Sequence, residues 1–123
     1  MFIHSSPLEE YLWKNRVIVT FSPSKNNIER SHFLNSIKNN LCEFNMRNII
    51  HIDLLFNEKS QEIERFKSFF EKNLSLTPSE FRLILIGKDG GIKFNSRKTS
   101  LEEIFSLIDA MPMRQEEMLN DKC

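Results

Sequence analysis

The stretch "VIVTFSPSKNNIER", Val17 to Arg30, decides the fold. Val17 to Phe21 is an unbroken β-branched and apolar run, the pattern of a strand buried on both faces. "SPS" ends it, and from about Asn27 the apolar period changes. Phe33, Ile37, Leu41 and Phe44 recur at three and four residues, with Leu34 flanking, which predicts one amphipathic helix to about residue 44. A buried strand that hands over to a helix N-terminus is where many α/β proteins hold their ligands. This crossing carries no cysteine, histidine or glycine, and no acidic residue before Glu29.

Working outward, "NIIHIDLLF" (Asn48 to Phe56) is a second strand. Ile50, Ile52, Leu54 and Phe56 share one face, and Ile49, His51, Asp53 and Leu55 the other. Ile63, Phe66, Phe70 and Leu74, with Phe69, then mark a helix whose aromatic stripe fills the core. "TPSE" (Thr77 to Glu80) is a single capped turn. "FRLILIGKDGGIKFNS" gives two strands, Arg82 to Ile86 and Ile92 to Asn95, around Asp89-Gly90, the signature of a type I′ hairpin. A glycine-bearing loop between two strands is a turn, whereas phosphate cradles lie between a strand and a helix. Ser100 and Glu103 frame a capping box ahead of Leu101, Ile104, Phe105 and Ile108. At the front, Ser6, Pro7 and Glu9 predict a short helix over 7–14. Pro112 is expected to stop the last helix, leaving a single domain over 1–111 and a charged tail over 112–123.

After the opening helix the order is β-α-β-α-β-β-α. Two strands joined through a helix run parallel, and a hairpin adds an antiparallel pair. The economical packing is α/β and thioredoxin-like: a four-stranded mixed sheet with helices on both faces and an extra N-terminal helix. Eleven Phe against one Trp and one Tyr assign most rings to that core.

Seventeen basic and seventeen acidic residues cancel, so no global field draws the chain to nucleic acid or an anionic membrane. Arg82, Lys88, Lys93, Arg97 and Lys98 against Asp89 alone predict one positive or merely solvated strand edge. His4, His32, His51, Cys42 and Cys123 show no metal-ligand spacing, and no cofactor is implied. No apolar run approaches the ~20 residues of a membrane span. "MFIHSSP" is too short and polar for a signal peptide, which places the chain, as it reads, in the cytoplasm; an upstream start would place it in the periplasm or outside the cell.

"SPLEEYLWKNRVIVTFSPS", "LILIGKDGGIKFNS" and "IFSLIDAMPMRQEEM" together resemble an uncharacterised bacterial domain of unknown function related to the P-DUDES domains, which occur in secreted vertebrate proteins such as the sushi-repeat-containing proteins. The resemblance runs from about Pro7 to Met118. It implies a thioredoxin-like fold distantly similar to peroxiredoxins, and no particular activity. In redox relatives the two cysteines would fall near Asn26 and Glu29, the buried acid at Thr20, and the cis-proline near Arg82. None of those residue types stands there.

What remains at the crossing is hydroxyls (Ser22, Ser24), an ammonium (Lys25) and amides (Asn26, Asn27), with Arg82 expected on a converging loop. This set can hold a protein backbone or a small anionic ligand, yet contains no general base near neutral pH; a polar turn and N-cap uses the same residues. A non-catalytic binding module is the first reading. The alternatives are a thiol-dependent, peroxiredoxin-like enzyme using Cys42 or Cys123, a small hydrolase using His51 with Asp53, and self-association through the Phe-rich helices. Cys42 is expected beside the apolar stripe, as a small core hydrophobe.

Overall fold

The central strand dictates the rest. In the computed structural model, which describes residues 6–120, β1 (Arg16–Ser22) is buried at every position. The chain continues through α1 (Ile28–Asn39), α2 (Leu41–Met46), β2 (Ile49–Leu55), α3 (Gln61–Glu71), β3 (Arg82–Ile86), β4 (Ile92–Ser96), α4 (Leu101–Asp109) and α5 (Pro112–Glu117). The sheet order is β2-β1-β3-β4, with β1 parallel to β2 and antiparallel to β3, and β3 antiparallel to β4. This is the four-stranded mixed sheet that the order of elements predicts.

Alternation along β1 divides the core. Val17, Val19 and Phe21 face α3 with Leu54, Ile63, Phe66, Phe70, Ile84 and Ile86. Ile18 faces the other way, with Phe33, Phe44, Ile49, Leu83, Leu85, Ile104 and Ile108. Phe21 stacks on Phe56 at 5.3 Å and meets Phe70 edge-on at 6.0 Å, so one ring joins both edges of that layer.

Local chemistry departs from the sequence pattern in five places. The helix expected to run to residue 44 breaks at Asn40 (φ −138°, ψ 36°), whose side chain donates to Ser36 O at 2.8 Å. A short amide that bonds its own backbone is a poor helix interior, and the break turns Leu41 outward while Phe44 returns to the core. The N-terminal helix shrinks to a 3-10 turn at Glu9–Tyr11. The hairpin is not type I′. Among the described glycines only Gly90 has positive φ (84°), and its N–H donates to Gly87 O at 3.0 Å. Lys88 and Asp89 therefore form an ordinary turn that Gly90 closes in the left-handed region, and Asp89 Oδ1 secures it by accepting from Gly91 N at 2.9 Å. Ser100 sits at the N-cap of α4 but makes no side-chain capping bond, unlike Asn27 before α1 and Ser60 before α3. Finally, Pro112 opens α5 rather than ending the fold, and Arg114 within it is 1% exposed, so residues 112–117, read as the start of a charged tail, pack onto the fold at α4; residues 121–123 lie outside the described residues.

Replacing Phe21 with alanine is expected to cost about 3–5 kcal/mol, because the ring is fully buried between two others and the layer cannot collapse into the gap. Urea denaturation of the variant against the parent checks this.

Candidate functional site

Two polar clusters sit at opposite ends of β1. The first lies at its carboxyl end, under the start of α1. Register places Thr20 beside Asp53 and Ile18 beside His51. The Thr20 hydroxyl is 2.7 Å from His51 Nε2 and 3.5 Å from Asp53 Oδ1. Arg30, on the first turn of α1, clamps Asp53. Its Nε donates to both carboxylate oxygens at 3.2 and 3.1 Å, its Nη2 donates to Oδ2 at 2.7 Å, and its Nη1 donates to Lys25 O at 2.9 Å. The Arg30 pKa is raised, chiefly by the hydrogen bonds to Asp53. The His51 ring packs edge-on to Phe33 at 4.9 Å. Burial, against the pull of Asp53, lowers its pKa to about 4, so the imidazole is neutral near pH 7.

The sequence-derived site residues distribute around this cluster. Lys25 and Asn26 are exposed on the loop, Ser24 is half-buried, and the Ser24 carbonyl accepts from Asn27 N at 3.2 Å. Ser22 is fully buried and its Oγ has no partner. Arg82 pairs with Phe21 across the sheet and so projects from the face opposite Ser22. It is 8% exposed and donates to Ser75 O at 3.0 Å and Asn95 Oδ1 at 3.4 Å. The loop residues thus come together, and Arg82 lies apart from them. Cys42 is exposed near the start of α2 and is not a free thiol. It is not the core hydrophobe that an unbroken helix would make it. Cys123 and His4 lie outside the described residues.

The second cluster lies at the other end, and residue spacing gives little hint of it. Arg16 is 1% exposed, and its guanidinium donates to Glu117 through Nη1 at 3.0 Å and Nη2 at 3.3 Å, and to Arg47 O at 2.9 Å. Lys88, 9% exposed, donates to the same Glu117 at 2.7 Å and to Asn48 Oδ1 at 2.9 Å. Alongside, Asp109 accepts from Arg47 at 3.0 and 2.8 Å and from Arg114 at 3.0 Å, while Arg47 lies 4.0 Å over the Phe105 ring. Burial alone would raise the Glu117 carboxyl, but the bonds from Arg16 and Lys88 hold it below its ordinary value; Arg47 and Arg114 do the same for Asp109. The signal available in the sequence was the text of "WKNR", "IGKDGG" and "DAMPMR", three distant segments that meet here. The expected positive strand edge divides: Arg82 and Lys88 are buried, while Lys93, Arg97 and Lys98 are exposed, Lys93 paired with Asp89 and Arg97 with Glu80.

The fold is that of the thioredoxin-like proteins, with peroxiredoxins among its structural neighbours. The reduced 2-Cys peroxiredoxin of Plasmodium vivax superposes with a TM-score of 0.61 at 16% identity, covering 89% of this chain and 72% of that one. Thioredoxin peroxidase I of Plasmodium yoelii gives 0.60 at 19% identity, covering 94% and 82%. Within that class the chain belongs to the family described as Domain of unknown function (DUF4174), whose model matches residues 7–117. It is also 23% identical over 137 aligned positions to coiled-coil domain-containing protein 80 of Danio rerio, covering 90% of this chain but 15% of that protein's length.

Two outcomes follow from the geometry. His51 has a folded pKa below its unfolded value of 6.5, so the unfolded state takes up the proton first as pH falls. Its contribution is therefore complete above about pH 6.5 and lost towards pH 4, on the order of 3 kcal/mol. Denaturant titrations across this window should steepen for the parent and flatten for His51→Gln. At the other pole, Glu117→Gln leaves Arg16 and Lys88 without their shared carboxylate and should cost about 3 kcal/mol, against almost nothing for the exposed Glu102→Gln. The depressed Glu117 pKa gives this stabilisation the same direction in a more acidic window: it is present above about pH 4.5 and is lost as pH falls below it.

Proposed function

We propose that the domain is a non-catalytic, thioredoxin-like binding module. One observation carries the reading: Arg30 holds Asp53 through three hydrogen bonds, so the carboxylate that an acid–base mechanism would need is already committed to the fold. A hydrolase would also need an exposed nucleophile, and Thr20, the hydroxyl beside His51, is 1% exposed. The neutral imidazole is walled in by Phe33. The redox alternative lacks a thiol at the crossing, where Ser22, Ser24, Lys25 and Asn26 stand instead. Ser24, Lys25 and Asn26 are the proposed contact surface for a protein or a small anionic ligand, with Lys25 and Asn26 outermost; Ser22, fully buried, is not part of it. Arg82, which projects from the other face and donates to Ser75 O, is not part of it either. The quoted motif set supports a further step, kinship with the bacterial relatives of the P-DUDES domains.

Reduced protein should consume hydrogen peroxide no faster than an unactivated thiol, and Cys42→Ser should not change that rate. Rapid consumption abolished by the substitution would return the protein to the thiol peroxidases. In parallel, Lys25→Glu should sharply reduce capture of the binding partner by immobilised domain with no change in thermal unfolding; unaltered capture removes the loop from the contact surface.

A further inference from the structure

We propose that the pole opposite the crossing holds a second, independent site, for a small carboxylate with an apolar or aromatic body. A groove of about 210 Å³ opens there, walled by Trp13, Met111, Pro112 and Met113 and bordered by Arg16, Lys88 and Lys93. Its size is below the roughly 300–1,000 Å³ that drug-sized ligands fill, which suits a fragment-sized molecule.

Three features point to an occupant. Trp13 is 64% exposed and holds a left-handed backbone (φ 65°), a conformation that costs a bulky residue energy. Its backbone N–H donates to Lys88 O at 2.7 Å, which anchors this backbone beside the groove and leaves the ring unused. An aromatic presented to water by a strained backbone gains nothing from the fold itself. Second, the cations bordering the groove keep donors in reserve. Arg16 uses both terminal nitrogens, yet its buried Nε–H has no partner. Lys88 has three N–H donors and two acceptors, Asn48 and Glu117. The two residues converge on Glu117 Oε2, at 3.3 and 2.7 Å, so their unused donors belong to one locality. Third, Met111 and Met113 supply flexible thioether walls that mould to an apolar body.

The charge pattern selects a monoanion. Asp89 stands on the rim, paired with Lys93 at 2.9 Å, and Glu117 lies behind Arg16 and Lys88. Both carboxylates repel a doubly charged phosphate, while a single carboxylate with a hydrocarbon or aryl tail matches spare donors within and apolar walls around.

Trp13 is the sole tryptophan and so reports on the groove directly. The full chain should be titrated with phenylacetate and hexanoate, and with their amides, while Trp13 emission is followed. A saturable blue shift is expected with the acids, and binding about tenfold weaker or more with the amides. Amide nitrogen–proton NMR spectra should show shifts confined to residues 13–16, 87–93 and 111–114. Arg16→Gln is the direct variant but removes a buried charge; Met113→Asp alters an exposed wall residue, should fold normally and should abolish the response. No saturable change with either acid, equal binding of acid and amide, or an unaltered response in Met113→Asp would each overturn the site.

Discussion

Burying a guanidinium at the foot of the central strand commits the far end of the chain to follow it. Arg16 is almost wholly enclosed, and a charge so placed needs a close counter-charge and hydrogen bonds. Glu117, 101 positions later, supplies the charge and accepts from both terminal nitrogens, leaving the Nε–H unpartnered. That demand accounts for α5, which carries Glu117 to the guanidinium, and for Lys88, which turns inward from the hairpin to the same carboxylate. Apolar burial above this point builds the sheet; the ion pair sets where its lower boundary closes.

The two ends of β1 use polar groups in contrasting ways. At the crossing, Arg30, Asp53, Thr20 and His51 satisfy one another, and the residues left facing water are those of a loop. At the opposite pole the N–H donors of Arg16 and Lys88 outnumber the acceptors offered to them, and donors are left over beside an exposed indole. A thioredoxin-like scaffold conventionally presents its chemistry at the first of these ends. Here the second carries the less completed set of interactions.

The fold was legible because its signals are local and repeat in register: an uninterrupted apolar strand, two amphipathic helices, and a glycine-bearing hairpin in an order that admits one economical topology. What the local sequence does not carry depends on partners distant along the chain. Nothing within "MPMRQEEM" says that Arg114 is buried, since its partners are Asp109 and the Met46 carbonyl, the latter 68 positions earlier. The Arg30–Asp53 clamp spans 23 positions for the same reason. The hairpin type was missed because Asp89 accepts a backbone bond with its side chain instead of adopting positive φ. Arg82 was placed with the crossing loop by counting along the chain, but strand alternation sends it to the other face.

Asn48 shows how narrowly such a structure can restrict one position. Its backbone lies in the left-handed region (φ 54°), its carbonyl receives the Arg16 N–H at 2.9 Å, and its side-chain oxygen receives the Lys88 ammonium. Glycine would relieve the torsion but strand the ammonium; glutamine or threonine would offer an oxygen but resist the torsion. Of the twenty side chains, only asparagine and its acid analogue meet both conditions, so this ordinary-looking letter between an arginine and an isoleucine leaves a mutating gene almost no alternatives.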